Sequence, residues 1–299
     1  MSSLVNVAGA QIDVAWGDPK ANLARIQGVM EKNSREGVLL TVFPECAVSG
    51  YCFDSLEEAR PFASPIPGPA TDELVAIARK SGSYLVAGML ESDGDRIFNA
   101  AVLVGPNGLI GSYRKIHLPY LGIDRFATPG DRPFRVFEVG PLRVGMHICY
   151  DGSFPESARV MAVQGADLIV LPTNWPPKSE CAAAHLANIR AHENNIYYMC
   201  VNRVGEERGF AFIGGSKICD PSGETIAEAP GTQEQIMVAT IDLERARRKR
   251  LIRVPGLHEI NRIADRRPEM YQPLVEPIDA GPNSRESATA DPSTMYPKP

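Results

Sequence analysis

Read for periodicity alone, this chain should form an α/β fold in a single domain. Three observations point there. Apolar runs of strand length alternate with stretches of helical spacing. Turn residues separate the runs. No linker-like break interrupts the pattern before about residue 273.

The elements follow in order. Residues 5–14 alternate as a first strand, and Leu23, Ile26, Val29 and Met30 carry helical spacing through 22–36. Gly37 leads into 38–43, a short branched apolar run, completing strand–helix–strand. A helix at 71–80 precedes strands at 84–90, 98–104 and 109–113, with Asp93-Gly94 and Pro106-Asn107-Gly108 as hairpin signals. A further hairpin is expected from 134–139 and 142–148 around Gly140-Pro141. Helices at 156–164 and 181–194 flank a buried strand at 168–171. Strands at 197–201, 212–218 and 235–241 and a helix at 243–251 complete the pattern, with Asp220-Pro221-Ser222-Gly223 as a turn. We divide the chain at residue 274. Residues 275–299, rich in Pro, Ser, Ala and Asp, should be extended or disordered.

With 299 residues, 44% hydrophobic and 22% charged, the chain can bury a core without covalent staples. A net charge of −5 argues against nucleic acid as a partner, because phosphate-binding surfaces are basic. The Arg-rich run 245–253 is interrupted by Ala246 and Leu251 and reads as a solvated helix face. The first residues show no basic segment followed by an apolar one, and no stretch approaches the roughly 18 apolar residues of a membrane span. A cytoplasmic location without membrane contact is expected. There Cys46, Cys52, Cys149, Cys181, Cys200 and Cys219 stay reduced. None forms a CxxC pair, and His185 and His192 lack accompanying ligand motifs, so no metal site is expected.

Three short strands end in reactive side chains: Val42-Phe43-Pro44-Glu45, Tyr113-Arg114-Lys115 and His147-Ile148-Cys149. Sites in α/β sheets collect beyond the carboxyl ends of strands. Singly, each residue has a plainer reading: a core thiol, an exposed carboxylate, a solvated lysine. Context favours chemistry. Gly152-Ser153-Phe154-Pro155-Glu156 reads as a tight turn into a helix, whose N-terminus would lower a nearby thiol pKa and aim N–H groups at a developing oxyanion.

Phe43-Pro44-Glu45 with Ser49-Gly50-Tyr51, Tyr113-Arg114-Lys115-Ile116-His117-Leu118, and Ile148-Cys149-Tyr150-Asp151 with Phe154-Pro155-Glu156 resemble, in that order, the glutamate, lysine and cysteine motifs of the nitrilase (carbon–nitrogen hydrolase) superfamily. Similarity continues through Leu171-Pro172-Thr173-Asn174-Trp175 and Asn202-Arg203-Val204-Gly205 to Arg266-Arg267-Pro268. The resemblance implies a four-layer α-β-β-α sandwich, and a Cys149–Glu45–Lys115 triad that hydrolyses a small-molecule amide through a thioester, without cofactor. Glu45 would be the general base, while Lys115 and the Tyr150 N–H would hold the oxyanion. The family often carries a second glutamate between lysine and cysteine; here Asp124 is the nearest carboxylate, a substitute for it or a salt-bridge partner of Arg125. Tyr51, Asn174 and Trp175 are expected to line the pocket, with Trp175 equally readable as core. His117 and His147 should support it by hydrogen bonds.

Tyr150-Asp151 after the cysteine resembles amidase-type branches rather than true nitrilases, which usually carry Trp-Glu there. Gly152 and Ser153 stand where carbamoyl-amino-acid hydrolases place arginines. A neutral or cationic amide is expected. True nitrilase, N-carbamoyl hydrolase or acyltransferase chemistry, or a silent binding protein, are the alternatives. Similar proteins associate through the helices of the cysteine side, implying at least a homodimer.

Overall fold

The computed structural model describes residues 3–277. Segment 278–299, most of the expected extended tail, lies outside the described residues. Along the chain run β1 (Leu4–Gln11), α1 (Pro19–Arg35), β2 (Val38–Val42), α2 (Leu56–Ala59), α3 (Pro69–Ser81), β3 (Tyr84–Asp93), β4 (Arg96–Gly105) and β5 (Gly108–Arg114). Then come β6 (Val136–Val139), β7 (Leu142–Met146), α4 (Pro155–Val163), β8 (Leu168–Thr173), α5 (Glu180–Asn194) and β9 (Tyr197–Asn202). The short β10 (Glu206–Glu207) and β11 (Phe210–Ala211) precede β12 (Ser216–Cys219), β13 (Thr225–Ala229), β14 (Gln235–Asp242), α6 (Leu243–Arg247), β15 (Leu251–Val254) and β16 (His258–Ile260).

Two six-stranded sheets form, ordered β14-β1-β2-β3-β4-β5 and β13-β12-β9-β8-β7-β6. The alternation of strand side chains assigns their layers. In the first sheet Val7, Leu40, Val42, Val86, Ala101 and Leu103 join the core that contains the second sheet. Their neighbours Leu85, Ala87, Val102 and Val104 pack instead with Ile26 and Met30 of α1 and Leu74, Ile77 and Ala78 of α3. On the second sheet Ala158 and Met161 of α4 and Ala187 and Ala191 of α5 complete the shared core. The result is helices, sheet, sheet, helices, as expected. Parallel pairing of β1 with β2 and β2 with β3 in the first sheet, and of β7 with β8 and β8 with β9 in the second, puts the carboxyl ends of neighbouring strands on one edge of each sheet.

The first expected strand, 5–14, ends at Gln11, and α2, β13, β15 and β16 were not expected. Two further elements differ for a visible reason. The strand expected over 212–218 is broken, because Gly214 and Gly215 adopt φ of 61° and 75°, and β12 begins only at Ser216. The helix expected over 243–251 stops at Arg247. The Asn195 side chain takes the Arg248 carbonyl at 2.9 Å and Lys249 Nζ reaches Asn195 O at 2.7 Å, drawing the chain off the helical path.

Candidate active site

Glu45 stands three residues past β2. Its loop lies directly on β3: Gly88 N donates to Pro44 O at 3.1 Å. A Cβ on Gly88 would stand 2.2 Å from Cys46 N, so only glycine permits this approach. The Glu45 carboxyl is fully buried. Its Oε1 accepts from Lys115 Nζ and from Asn99 Nδ2, each at 2.7 Å, while its Oε2 has no hydrogen-bond partner. Burial pushes its pKa above the ordinary carboxylate value against the pull of Lys115, and Asp124 adds to the rise.

Lys115 follows β5 directly. Its Nζ also donates to Asp124 Oδ2 at 2.6 Å. Burial disfavours its charge, but Asp124 and Glu45 outweigh that and hold its pKa well above the usual lysine value, so it is an ammonium. Asp124 lies in the 3-10 turn Gly122–Arg125 and accepts also from Tyr51 OH at 2.8 Å and Asn99 Nδ2 at 2.9 Å. Asp124 thus stands beside the lysine, and the neighbouring Arg125 reaches Phe53 O and Asp54.

Cys149 stands three residues past β7 and opens the 3-10 turn Cys149–Ser153. Its φ of 46° is in the left-handed region that side chains other than Gly rarely adopt. Helix α4 begins only at Pro155, so the expected lowering of the thiol pKa by a helix N-terminus does not dominate. Burial, then Glu45, push the thiol up to about 12, against Lys115, the Thr173 hydroxyl and the Asn174 N–H. Ionisation of this thiol therefore needs a partner to take its proton.

A carboxylate, an ammonium and a thiol from three strand ends thus lie in one buried site, with Glu45 and Lys115 both acting electrostatically on Cys149. The carbon-nitrogen hydrolase family pattern matches residues 6–251, and these three residues stand within the match. The chain belongs to this family.

The hydrolase is 43% identical to a protein of Pyrococcus abyssi named nitrilase, over 90% of this chain and 99% of that one. It is 34% identical to an omega-amidase of Xenopus tropicalis, over 75% and 83%. An amidase from Nesterenkonia sp. superposes with a TM-score of 0.76 at 26% identity, covering 91% of this chain and 96% of that one. A cysteine-to-alanine mutant of that amidase has been solved in complex with butyramide.

Around the hydrolase's three central groups, the remaining expected residues are placed as follows. Asn174 is buried, donates to Glu45 O at 3.1 Å and leaves its Oδ1 unpartnered. Trp175 belongs to the shared core, its N–H held by Asn202 Oδ1 at 2.8 Å. Tyr51 is fully buried behind Asp124. Tyr150 packs edge-on against Phe154, centroids 5.2 Å apart. His147 bridges Ser157 Oγ at 2.9 Å and Tyr198 OH at 2.6 Å.

Three further groups escaped the sequence reading. Asn99, in the middle of β4, touches both carboxylates. Asp151, fully buried, accepts from Tyr113 OH at 2.8 Å, Ile148 N at 3.0 Å and the ring Nδ1 of His117 at 2.7 Å, tying the lysine strand to the cysteine turn. Burial raises the Asp151 pKa, but the His117 and Ile148 bonds outweigh it and hold it low. Glu207, paired with the buried Arg203, accepts from Tyr51 N at 2.9 Å and Cys52 N at 2.8 Å and anchors the loop after Glu45. The adjacent Tyr150-Asp151 motif was the only available signal for Asp151. Nothing in local pattern marks an asparagine inside an apolar strand.

Proposed function

We propose that this carbon–nitrogen hydrolase cleaves the amide bond of a small molecule through a thioester on Cys149. Glu45 takes the thiol proton as general base, and the thiolate attacks the amide carbonyl. Lys115 and the Tyr150 N–H hold the oxyanion, each worth about 3 kcal/mol at the transition state. Glu45 protonates the departing ammonia or amine, and water then hydrolyses the thioester by the reverse route. Asp124 keeps Lys115 charged and in place.

The observation that carries this reading is the Glu45 carboxyl, with one oxygen saturated by Lys115 and Asn99 and the other bare. A buried acceptor without a partner is costly unless a proton or ligand uses it. The butyramide complex of the Nesterenkonia amidase supports a short aliphatic amide as the substrate class. Gly152 and Ser153 offer no charged fork for a substrate carboxylate. Intact-mass trapping with butyramide should show a butyryl adduct and released ammonia, both lost in Cys149→Ala; an enzyme that forms no adduct with any amide overturns the reading.

A nitrile substrate is the second reading, favoured by the 43% identity to the Pyrococcus abyssi nitrilase. Acid and ammonia formed from a nitrile, with the corresponding amide untouched, would establish it.

We also propose a homodimer through α4 and α5, which expose Val160 at 41%, Val163 at 48% and Ile189 at 53%. Light scattering showing a monomer overturns that. We take residues 1–274 as the hydrolase domain and 275–299 as an appended segment. A reducing cytoplasm suits the six free thiols.

A further inference from the structure

We infer that Asn99 is a positioning residue that decides which oxygen of Glu45 receives the Cys149 proton, an inference that rests on Glu45 being the general base. Asn99 is fully buried on β4. Its Nδ2 carries two hydrogens and gives one to each carboxylate, Glu45 Oε1 at 2.7 Å and Asp124 Oδ1 at 2.9 Å. Its Oδ1 accepts from the Cys46 thiol at 3.6 Å. That orientation is dictated: reversed, the amide oxygen would face two carboxylates. Lys115 Nζ spans the same pair at 2.7 and 2.6 Å. Glu45, Asn99, Asp124 and Lys115 therefore close a four-membered ring of hydrogen bonds.

The ring sorts the two oxygens of Glu45. Oε1 already accepts two hydrogens, so a proton there would displace Asn99 or Lys115. Oε2 accepts none. When the S–H bond of Cys149 breaks, its electron pair stays on sulfur and the new O–H bond forms at Oε2. As the substrate C–N bond later breaks, that same proton passes from Oε2 to the leaving nitrogen. Asn99 also holds the lysine by its main chain, since Lys115 N donates to Asn99 O at 2.8 Å. The titratable and charged groups facing Glu45 are Lys115, Asp124 and Cys149, with Tyr51 bonded to Asp124 and Cys46 behind Asn99. Of the groups bonded to Glu45 Oε1, Asn99 is the neutral one. Removing its donors therefore weakens the ionised carboxylate without deleting a charge.

Asn99→Leu keeps the side-chain shape and deletes the donors. Butyramide hydrolysis and alkylation of Cys149 by iodoacetamide, read on the peptide that carries Cys149, are followed from pH 4 to 9. We expect the acidic limb of both profiles to move up by about one pH unit, and kcat to fall about 10- to 100-fold with KM changed less than about threefold. Asn99→Asp, of equal size, replaces the donors with a third carboxylate and should move the limb further the same way; it serves if Asn99→Leu does not fold. An acidic limb that stays in place in either folded variant overturns the inference, as does a parallel loss of kcat and thermal midpoint with no shift. If butyramide and every other amide fail as substrates, the hydrolytic reading fails instead. The alkylation profile still tests Asn99.

Discussion

Gly88 and Glu45 meet backbone to backbone: a Cβ on Gly88 would stand 2.7 Å from Glu45 Cα. Nothing flexible lies between them to yield. Gly88→Ala should therefore push the Glu45 loop off β3 and lower kcat at least about 100-fold, since misplacement of a reacting group by about 1 Å costs on that order. Thiol alkylation, which uses Glu45 once and not again to protonate a leaving group, should fall less than amide hydrolysis. Equal losses in both would contradict this.

Lys115 bridges two carboxylates in a fully buried site. Lys115→Met leaves Glu45 and Asp124 facing one another in the interior. Breaking a buried ion pair from one side costs about 3–5 kcal/mol. Urea unfolding should show a loss of that order at pH 7.5, shrinking toward pH 5 as Glu45, whose pKa burial raises, takes up its proton. An undiminished loss at low pH would refute the assignment of the cost to charge.

His147 titrates in the opposite environment. Burial lowers its pKa from 6.5 to about 4, so the folded state prefers the neutral ring. The folded protein binds fewer protons there than the unfolded chain. The stability from this residue is complete above pH 6.5 and is lost as the pH falls toward 4, to about 3 kcal/mol in all. His147→Gln should be less stable at pH 7.5, but its urea midpoint should fall less steeply between pH 6.5 and 4 than that of the native protein. Parallel slopes would rule this residue out as the acid-sensitive element.

Cys149 holds a left-handed backbone conformation that its Cβ disfavours. Glycine carries no such penalty, whereas alanine does. Both Cys149→Gly and Cys149→Ala should be inactive, yet Cys149→Gly should be the more stable by about 1 kcal/mol, the reverse of the usual order. Thermal melts of the two variants decide the matter.

The parts of this molecule written in short, strongly patterned segments were readable before any coordinates. Val38 to Val42 is too short and too branched for a helix, so a strand ending just before Glu45 followed from residue type. The ordered motifs then named Lys115 and Cys149. Asn99 was not readable, because its neighbours Phe98 and Ala100 mark only a buried strand, and its two carboxylate partners lie 54 and 25 residues away. The Arg203–Glu207 pair hid for the same reason: charges four apart look like a solvated turn until Asp13 and Tyr51 are seen around them. The thiol was misjudged in one respect. Sequence shows that a helix follows the cysteine, but not how much water the fold removes, and desolvation raises the thiol against Lys115, Thr173 and Asn174.

Glu45 and Lys115 ride on one sheet and Cys149 on the other, so bond-breaking competence is a property of how the two sheets dock, not of either alone. Hydrolysis thereby gauges inter-sheet registry. A substitution at the seam, such as a larger side chain at Gly9 of β1, where a Cβ would stand 3.0 Å from Val201 Cγ2 of β9 in the other sheet, would register as lost turnover before it registers as unfolding.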